Sequence, residues 1–111
     1  MVTKPWGYYE DITRLNTIVF KKIVVKPQQK LSLQYHEKRS EFWYCYSGEG
    51  VMLVSDSRFN IKVGSYLLIS PFEIHNVENT HMVDDLIIYE LQFGECEEED
   101  IVRLEDKYGR T

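Results

Sequence analysis

An all-β fold is predicted for this chain by three observations. Short segments rich in β-branched and aromatic residues recur along its 111 residues. Clusters of turn-forming residues separate them at regular intervals. Within the segments, side chains at alternate positions share a character, as expected when successive residues point to opposite faces of a sheet. Many short strands at such spacing pack as a sandwich or close into a barrel.

Taken in order, the first predicted strand is 17–26 (TIVFKKIVVK), ended by the turn signal "PQQ". Strand 31–36 (LSLQYH) follows, then 42–47 (FWYCYS), closed by "SGEG". Next come 51–55 (VMLVS) and 58–62 (RFNIK), separated around "SDS", and 66–70 (YLLIS), which runs into "SPFE". The last is 86–93 (LIIYELQF), preceded by the polar turn "ENTHMVDD". The terminal stretch "EEEDIVRLEDKYGR" is expected to form a short C-terminal helix, with Asp100 as its N-cap before Ile101. Apolar or aromatic residues occupy both faces of most strands, which fits a closed barrel whose outside is partly covered by a second subunit.

The length suits a single domain, residues 1–111. Apolar residues make up 43% and aromatics 14%, with eight Tyr, a globular composition that argues against disorder. A net charge of −5 disfavours nucleic acid, which needs a basic stripe, but a local cluster of Lys and Arg can still hold a small anion. Cys45 and Cys96 are too few for a disulfide scaffold and lack metal spacing; Cys45 reads as a small core residue. The N-terminus "MVTKPWGYYEDITR" is too polar for a secretion signal, and no apolar run reaches membrane length, so a cytoplasmic location is expected with no membrane partner.

Polar residues interrupt this apolar pattern in one place. Gln34 and His36 lie two residues apart on strand 31–36, about 6.6 Å along its axis and on one face. Glu41 follows across a short turn, on the face of Trp43 and Cys45, and His75 in "SPFEIHNVEN" is the candidate fourth member. Two imidazoles, a carboxylate and an amide oxygen suit one divalent ion, zinc first, with manganese, iron, cobalt and nickel as the other candidates. A Gln-x-His pair also reads as a hydrogen-bonded core pair, and spacing alone leaves both readings open. His81, in a polar turn, is expected to be solvated.

These residues resemble the cupin motifs. The first motif runs Gly, five residues, His-x-His, three or four residues, Glu, six residues, Gly, and is matched by Gln34, His36, Glu41 and Gly48. The second runs Gly, five residues, Pro-x-Gly, two residues, His, three residues, Asn, and is matched by Gly64, His75 and Asn79. Gln34 replaces the first His, Gln28 the first Gly, and Ser70 and Phe72 the Pro and Gly of the second motif. Within the cupins, "KPWGYYE", "LSLQYHEKRSEFW", "IHNVEN", "YELQFG" and "EEDIVRLEDKYGR" resemble the C-terminal domain of type II mannose-6-phosphate isomerases, from Lys4 to Arg110. That domain is usually fused to a GDP-mannose pyrophosphorylase, for which this chain shows no Gly-rich nucleotide loop.

The resemblance implies a cupin double-stranded β-helix, or jelly-roll barrel. It also implies a stand-alone, metal-dependent isomerase interconverting mannose 6-phosphate and fructose 6-phosphate through a cis-enediol. Gln34, His36, Glu41 and His75 are then the metal ligands. Lys21, Arg39 and Arg110 are the expected phosphate-binding cations, and Trp43 is a candidate wall of the sugar pocket. Glu90 is the expected proton-shuttling base, with Lys21 as its alternative, and Arg39 stands at the metal loop near the reacting atoms. The acidic run 95–100 is expected to be solvated. A homodimer is expected, with Trp6 anchoring an N-terminal arm. Two other classes compete: a non-catalytic sugar or sugar-phosphate binding or regulatory cupin, and an iron oxygenase-type cupin.

Overall fold

The computed structural model describes residues 1–109. Its described residues form antiparallel strands and no helix: β1 (Val2–Lys4), β2 (Gly7–Arg14), β3 (Ile18–Val25), β4 (Leu33–Tyr35), β5 (Arg39–Ser47), β6 (Gly50–Val54), β7 (Ser57–Ile61), β8 (Tyr66–Ile69), β9 (His75–Glu78), β10 (Leu86–Gly94) and β11 (Val102–Glu105). They build two sheets, one in the order β1-β2-β3-β10-β5-β8 and the other in the order β11-β4-β9-β6-β7. No helix among the described residues is long and apolar enough to cross a membrane.

Alternation decides which residues face inward. On β3, Val19, Lys21, Ile23 and Val25 are buried; on β5, Arg39, Glu41, Trp43 and Cys45; on β10, Leu86, Ile88, Glu90 and Gln92. The apolar members other than Val19 join Met52, Ile61 and Val77 of the facing sheet in one core. The core is therefore apolar along most of the barrel, and the inward-facing polar residues gather towards one end.

Two expectations are corrected. The C-terminal helix is absent: 102–105 is β11, whose Val102 and Arg103 pair with Tyr35 and Gln34 of β4. The segment has too few residues to offset the cost of helix nucleation, whereas pairing with β4 covers that strand's free edge. Asp100 caps no helix; its carboxylate accepts the backbone N–H of Glu37 and of Lys38, both at 2.9 Å. Trp6 packs into the core of its own chain, next to the short strand β1. Strands β1, β2 and β9 were not among those expected.

The four positions where the cupin motifs place glycine all have a left-handed backbone: Gln28 (φ 64°), Gly48 (φ 89°), Gly64 (φ 93°) and Phe72 (φ 66°). Two of them hold residues with a Cβ, which is disfavoured there by roughly 1–2 kcal/mol. Gln28 is tied down by its Nε2, which donates to the carbonyls of Thr80 and His81. The backbone N–H of Phe72 donates to the carbonyl of His36 at 2.7 Å.

Candidate metal centre and its cavity

Three strands bring the cluster together. His36 follows β4, Glu41 lies on β5, and His75 opens β9, opposite Gln34 of β4. Their potential ligand atoms all lie within 4.8 Å of one another, and all three residues are buried. Each histidine ring is oriented by a backbone carbonyl. His36 Nδ1 donates to Asp100 at 2.5 Å, and His75 Nδ1 donates to Glu73 at 2.9 Å. A carbonyl can only accept, so both hydrogens sit on Nδ1 and both Nε2 lone pairs face Glu41.

His36 Nε2 is 3.3 Å from Glu41 Oε2, and His75 Nε2 is 3.4 Å from Glu41 Oε1. His75 Nε2 is buried without a hydrogen bond. A lone pair aimed at a carboxylate oxygen is stable only with a proton or a cation between them. Ligands bound at about 2.0–2.2 Å stand roughly 3 Å or slightly more from one another, so these separations fit a divalent ion. The described residues thus form a buried His36–Glu41–His75 group able to bind a metal. Gln34, also buried, shares the face of His75 and accepts a hydrogen bond from Ser32 Oγ at 3.0 Å.

Electrostatics follow from burial and proximity. Burial pushes the Glu41 carboxyl up, but the two imidazoles and Arg39 more than reverse this and hold it well below the usual carboxylate range. Burial also lowers the His36 pKa, and here it prevails over Glu41. For His75 the balance is the opposite: the Glu41 carboxylate outweighs burial and raises its pKa.

Arg39 is not the solvated loop residue its neighbours suggest. Its Nε donates to Glu41 Oε2 at 2.8 Å, its Nη1 to the carbonyl of Glu97 at 3.0 Å, and its Nη2 lies 3.3 Å from His36 Nε2. The guanidinium therefore touches both a histidine and the carboxylate of the cluster. Trp43 stands behind the carboxylate, donating from Nε1 to Glu41 Oε1 at 3.1 Å, with its ring edge-on to His75. It is absent from the lining of the adjoining cavity.

That cavity, about 110 Å³, is lined by Gln34, His36 and Arg39 on one side and by Lys21, Glu90 and Glu98 on another, with Trp6 and Tyr9 among its walls. A single water needs about 10–15 Å³ in this measure, so there is room for a small polar molecule. Glu90 stands opposite Lys21 on β3 and opposite Trp43 on β5. Burial, reinforced by the Glu41 charge, pushes the Glu90 carboxyl up to about 7. Burial lowers the Lys21 pKa, but Glu90 and Glu98 more than offset this and keep the ammonium charged. Arg110 lies outside the described residues.

Sequence reasoning missed the segment 95–101. Far from being solvated throughout, it straps across this end of the barrel. Glu98 pairs with Lys21 Nζ at 2.6 Å, the Glu97 carbonyl takes Arg39, and Asp100 holds both His36 and the 37–38 turn. The signal in the chain was Lys21, a cation on the apolar face of its strand beside Ile23 and Val25.

The chain matches known proteins along nearly its whole length. A family model described as mannose-6-phosphate isomerase C-terminal matches residues 1–106. The alginate biosynthesis protein AlgA of Pseudomonas aeruginosa is 37% identical over 111 residues, covering 99% of this chain and 23% of AlgA. The xanthan biosynthesis protein XanB of Xanthomonas campestris is 36% identical, over 99% of this chain and 24% of XanB. Mannose-1-phosphate guanylyltransferase ManC of Salmonella typhimurium is 33% identical, with 99% and 23% covered. The chain thus spans about a quarter of the length of these relatives.

Among solved structures, the capsular polysaccharide assembling protein CapF of Staphylococcus aureus superposes with a TM-score of 0.80 at 16% identity, over 94% of this chain and 33% of CapF. A Klebsiella pneumoniae protein with a double-stranded β-helix domain gives 0.76 at 17% identity, over 95% and 91%. These likenesses show the fold. With the cupin double-stranded β-helix in place and the family model covering nearly the whole chain, the protein belongs to the family of mannose-6-phosphate isomerase C-terminal domains.

Proposed function

We propose that this chain is a metal-dependent aldose–ketose isomerase that interconverts mannose 6-phosphate and fructose 6-phosphate. The observation that carries the reading is one cavity that His36 of the buried His36–Glu41–His75 group lines together with Gln34, Arg39, Lys21 and Glu90. Gln34, His36, Glu41 and His75 would hold a divalent ion, zinc first, with manganese, iron, cobalt and nickel as alternatives. Such an ion polarises a carbonyl oxygen as a Lewis acid.

The chain's own residues supply the rest. Glu90, with its carboxyl near 7, takes the proton from C2 of the open-chain aldose as the C1–C2 double bond of the cis-enediol forms and the carbonyl oxygen gains a proton. It returns the proton to C1 as the C2 hydroxyl gives up its own proton to become the carbonyl, which balances the proton taken up at the C1 oxygen, so nothing is consumed. Lys21 is the alternative carrier of that proton. Lys21 and Arg39 present fixed positive charge to the substrate, the first towards its phosphate. Arg110 is proposed as a further phosphate contact.

A non-catalytic sugar-phosphate binding cupin is the second reading. It is favoured by the Arg39 guanidinium, whose contacts with Glu41 and His36 compete with an ion for the same atoms. Metal-loaded protein assayed with both sugar phosphates separates the two: turnover abolished by chelation supports the isomerase, and binding without turnover supports the second reading. Failure of both overturns both. The proposed partner is a second copy of the chain. The outer face of the six-stranded sheet exposes Tyr44, Tyr46, Tyr66 and Leu68, a cluster larger than scattered surface hydrophobics. Sedimentation velocity showing only monomer at micromolar concentration would reject it.

A further inference from the structure

We propose that Lys21 is the centre of an anion subsite that Glu98 occupies in the free chain, and that a phosphate group binds by displacing the Glu98 carboxylate. This deepens the sugar-phosphate reading and rests on it for the identity of the ligand.

The ion pair is lopsided. Lys21 sits mid-strand on β3 with 5% of its side chain exposed, held at 4.1 Å from the Tyr9 ring centroid. It cannot follow its partner into solvent. The Glu98 side chain is 44% exposed, so rotation about its own bonds carries its carboxylate into water. The vacated position faces a second cation. Arg14 Nη2 lies 4.0 Å from Glu98 Oε1, and Arg14 is anchored independently, donating from Nη1 to the Cys96 carbonyl at 2.8 Å and from Nη2 to Asp11 at 3.3 Å.

The backbone of the strap does not depend on Glu98 either. It is fastened by Arg39 to the Glu97 carbonyl and by the Asp100 carboxylate to the amides of Glu37 and Lys38. Losing the Glu98 contact therefore opens the subsite without unfastening the segment. Meanwhile Arg103, on another wall of the same cavity, has a buried Nε with no hydrogen-bond partner, a donor lacking an acceptor. An unsatisfied guanidinium nitrogen and a buried ammonium in one cavity are what an anionic ligand would satisfy.

Charge explains why Glu98 is the controlling residue. With it in place, Glu98, Asp11 and Glu90 surround Lys21 and Arg14, and a further anion is repelled. Once Glu98 turns outward, Lys21 loses its closest acid. Glu98 thus sets the threshold for anion binding and excludes ligands that cannot replace a carboxylate on Lys21.

The test is calorimetric titration of the wild type, Glu98→Gln and the double variant Glu98→Gln/Lys21→Met with inorganic phosphate, mannose 6-phosphate and mannose. Glu98→Gln should bind inorganic phosphate at least about tenfold more tightly than wild type, with mannose unaffected and the gain lost in the double variant. A matching gain for mannose 6-phosphate places the sugar phosphate in the subsite; a gain for inorganic phosphate alone supports a subsite for free phosphate. Unchanged or weaker phosphate binding by Glu98→Gln overturns the proposal, as does a gain that survives loss of Lys21. Should the double variant not fold, amide shifts in Glu98→Gln decide: phosphate must move the Lys21 signal, and no movement is fatal. Absence of isomerase turnover would leave these outcomes untouched, and turnover with no effect of Glu98→Gln would reject the subsite alone.

Discussion

Arg39 Nε lies 2.8 Å from Glu41 Oε2, so the cluster that can hold a metal also holds a permanent cation against its one carboxylate. Guanidinium stays protonated at every ordinary pH, and a fixed positive charge at this distance opposes a divalent ion. Arg39→Met should therefore raise zinc affinity by at least about tenfold, measured by competition with a chromophoric chelator. The same variant should lose isomerase turnover if Arg39 also serves the substrate. Zinc affinity that falls in Arg39→Met would show that the guanidinium supports the ligand set and does not compete with it.

His36→Ala removes one ligand atom while leaving Glu41 and His75 in place. Metal retention should drop by at least about 100-fold, read by elemental analysis after gel filtration. Unchanged metal content would identify His36 as structural.

Glu90 yields a stability prediction in metal-free protein. Its folded pKa is raised to about 7 against an ordinary value of 4.5. The folded chain therefore holds a proton that the unfolded chain has released, and stability falls as pH rises between those values. Glu90→Gln removes that loss. Above pH 7 it should be more stable than wild type by about 1–3 kcal/mol, with the advantage disappearing near pH 4. Urea denaturation at both pH values checks this, and equal midpoints across the range would refute it.

Asp100 has the opposite sign. Burial pushes its carboxyl up, but the amides of Glu37 and Lys38, with His36 and Arg39 nearby, together outweigh this and lower its pKa. Its stabilisation is present above the ordinary carboxylate range and is lost as pH falls through the depressed folded value. Asp100→Ala should cost about 1–2 kcal/mol at neutral pH and flatten the acid limb of the stability curve, as followed by thermal unfolding at stepped pH.

Legibility varied along the chain for physical reasons. Strands with strong alternation, such as 86–93, could be read directly because period two follows from backbone geometry. Strand β2, GYYEDITR, was hidden by its charged outer half, which faces solvent near the sheet edge. Strand β9 holds only four residues behind a Pro-containing turn and shows its pairing with β4 and β6 only when folded. The segment 102–105 has no strong preference of its own, and the open edge of β4 made it a strand.

The sequence by itself determined which residues share a face, because alternation commits each residue to one side once a strand forms. Alternation put Gln34 with His36 and Glu41 with Trp43 and Cys45, and motif spacing added His75. Only the tertiary structure decided which of these groups meet. The contacts of Arg39 with Glu97, Glu98 with Lys21, and Asp100 with His36 join strand β5, strand β3 and the turn after β4 to the strap. Local preference carries no information about those separations. They are settled by the need of each buried charge and each oriented ring nitrogen for a partner, and by the closure of the barrel that brings one within reach.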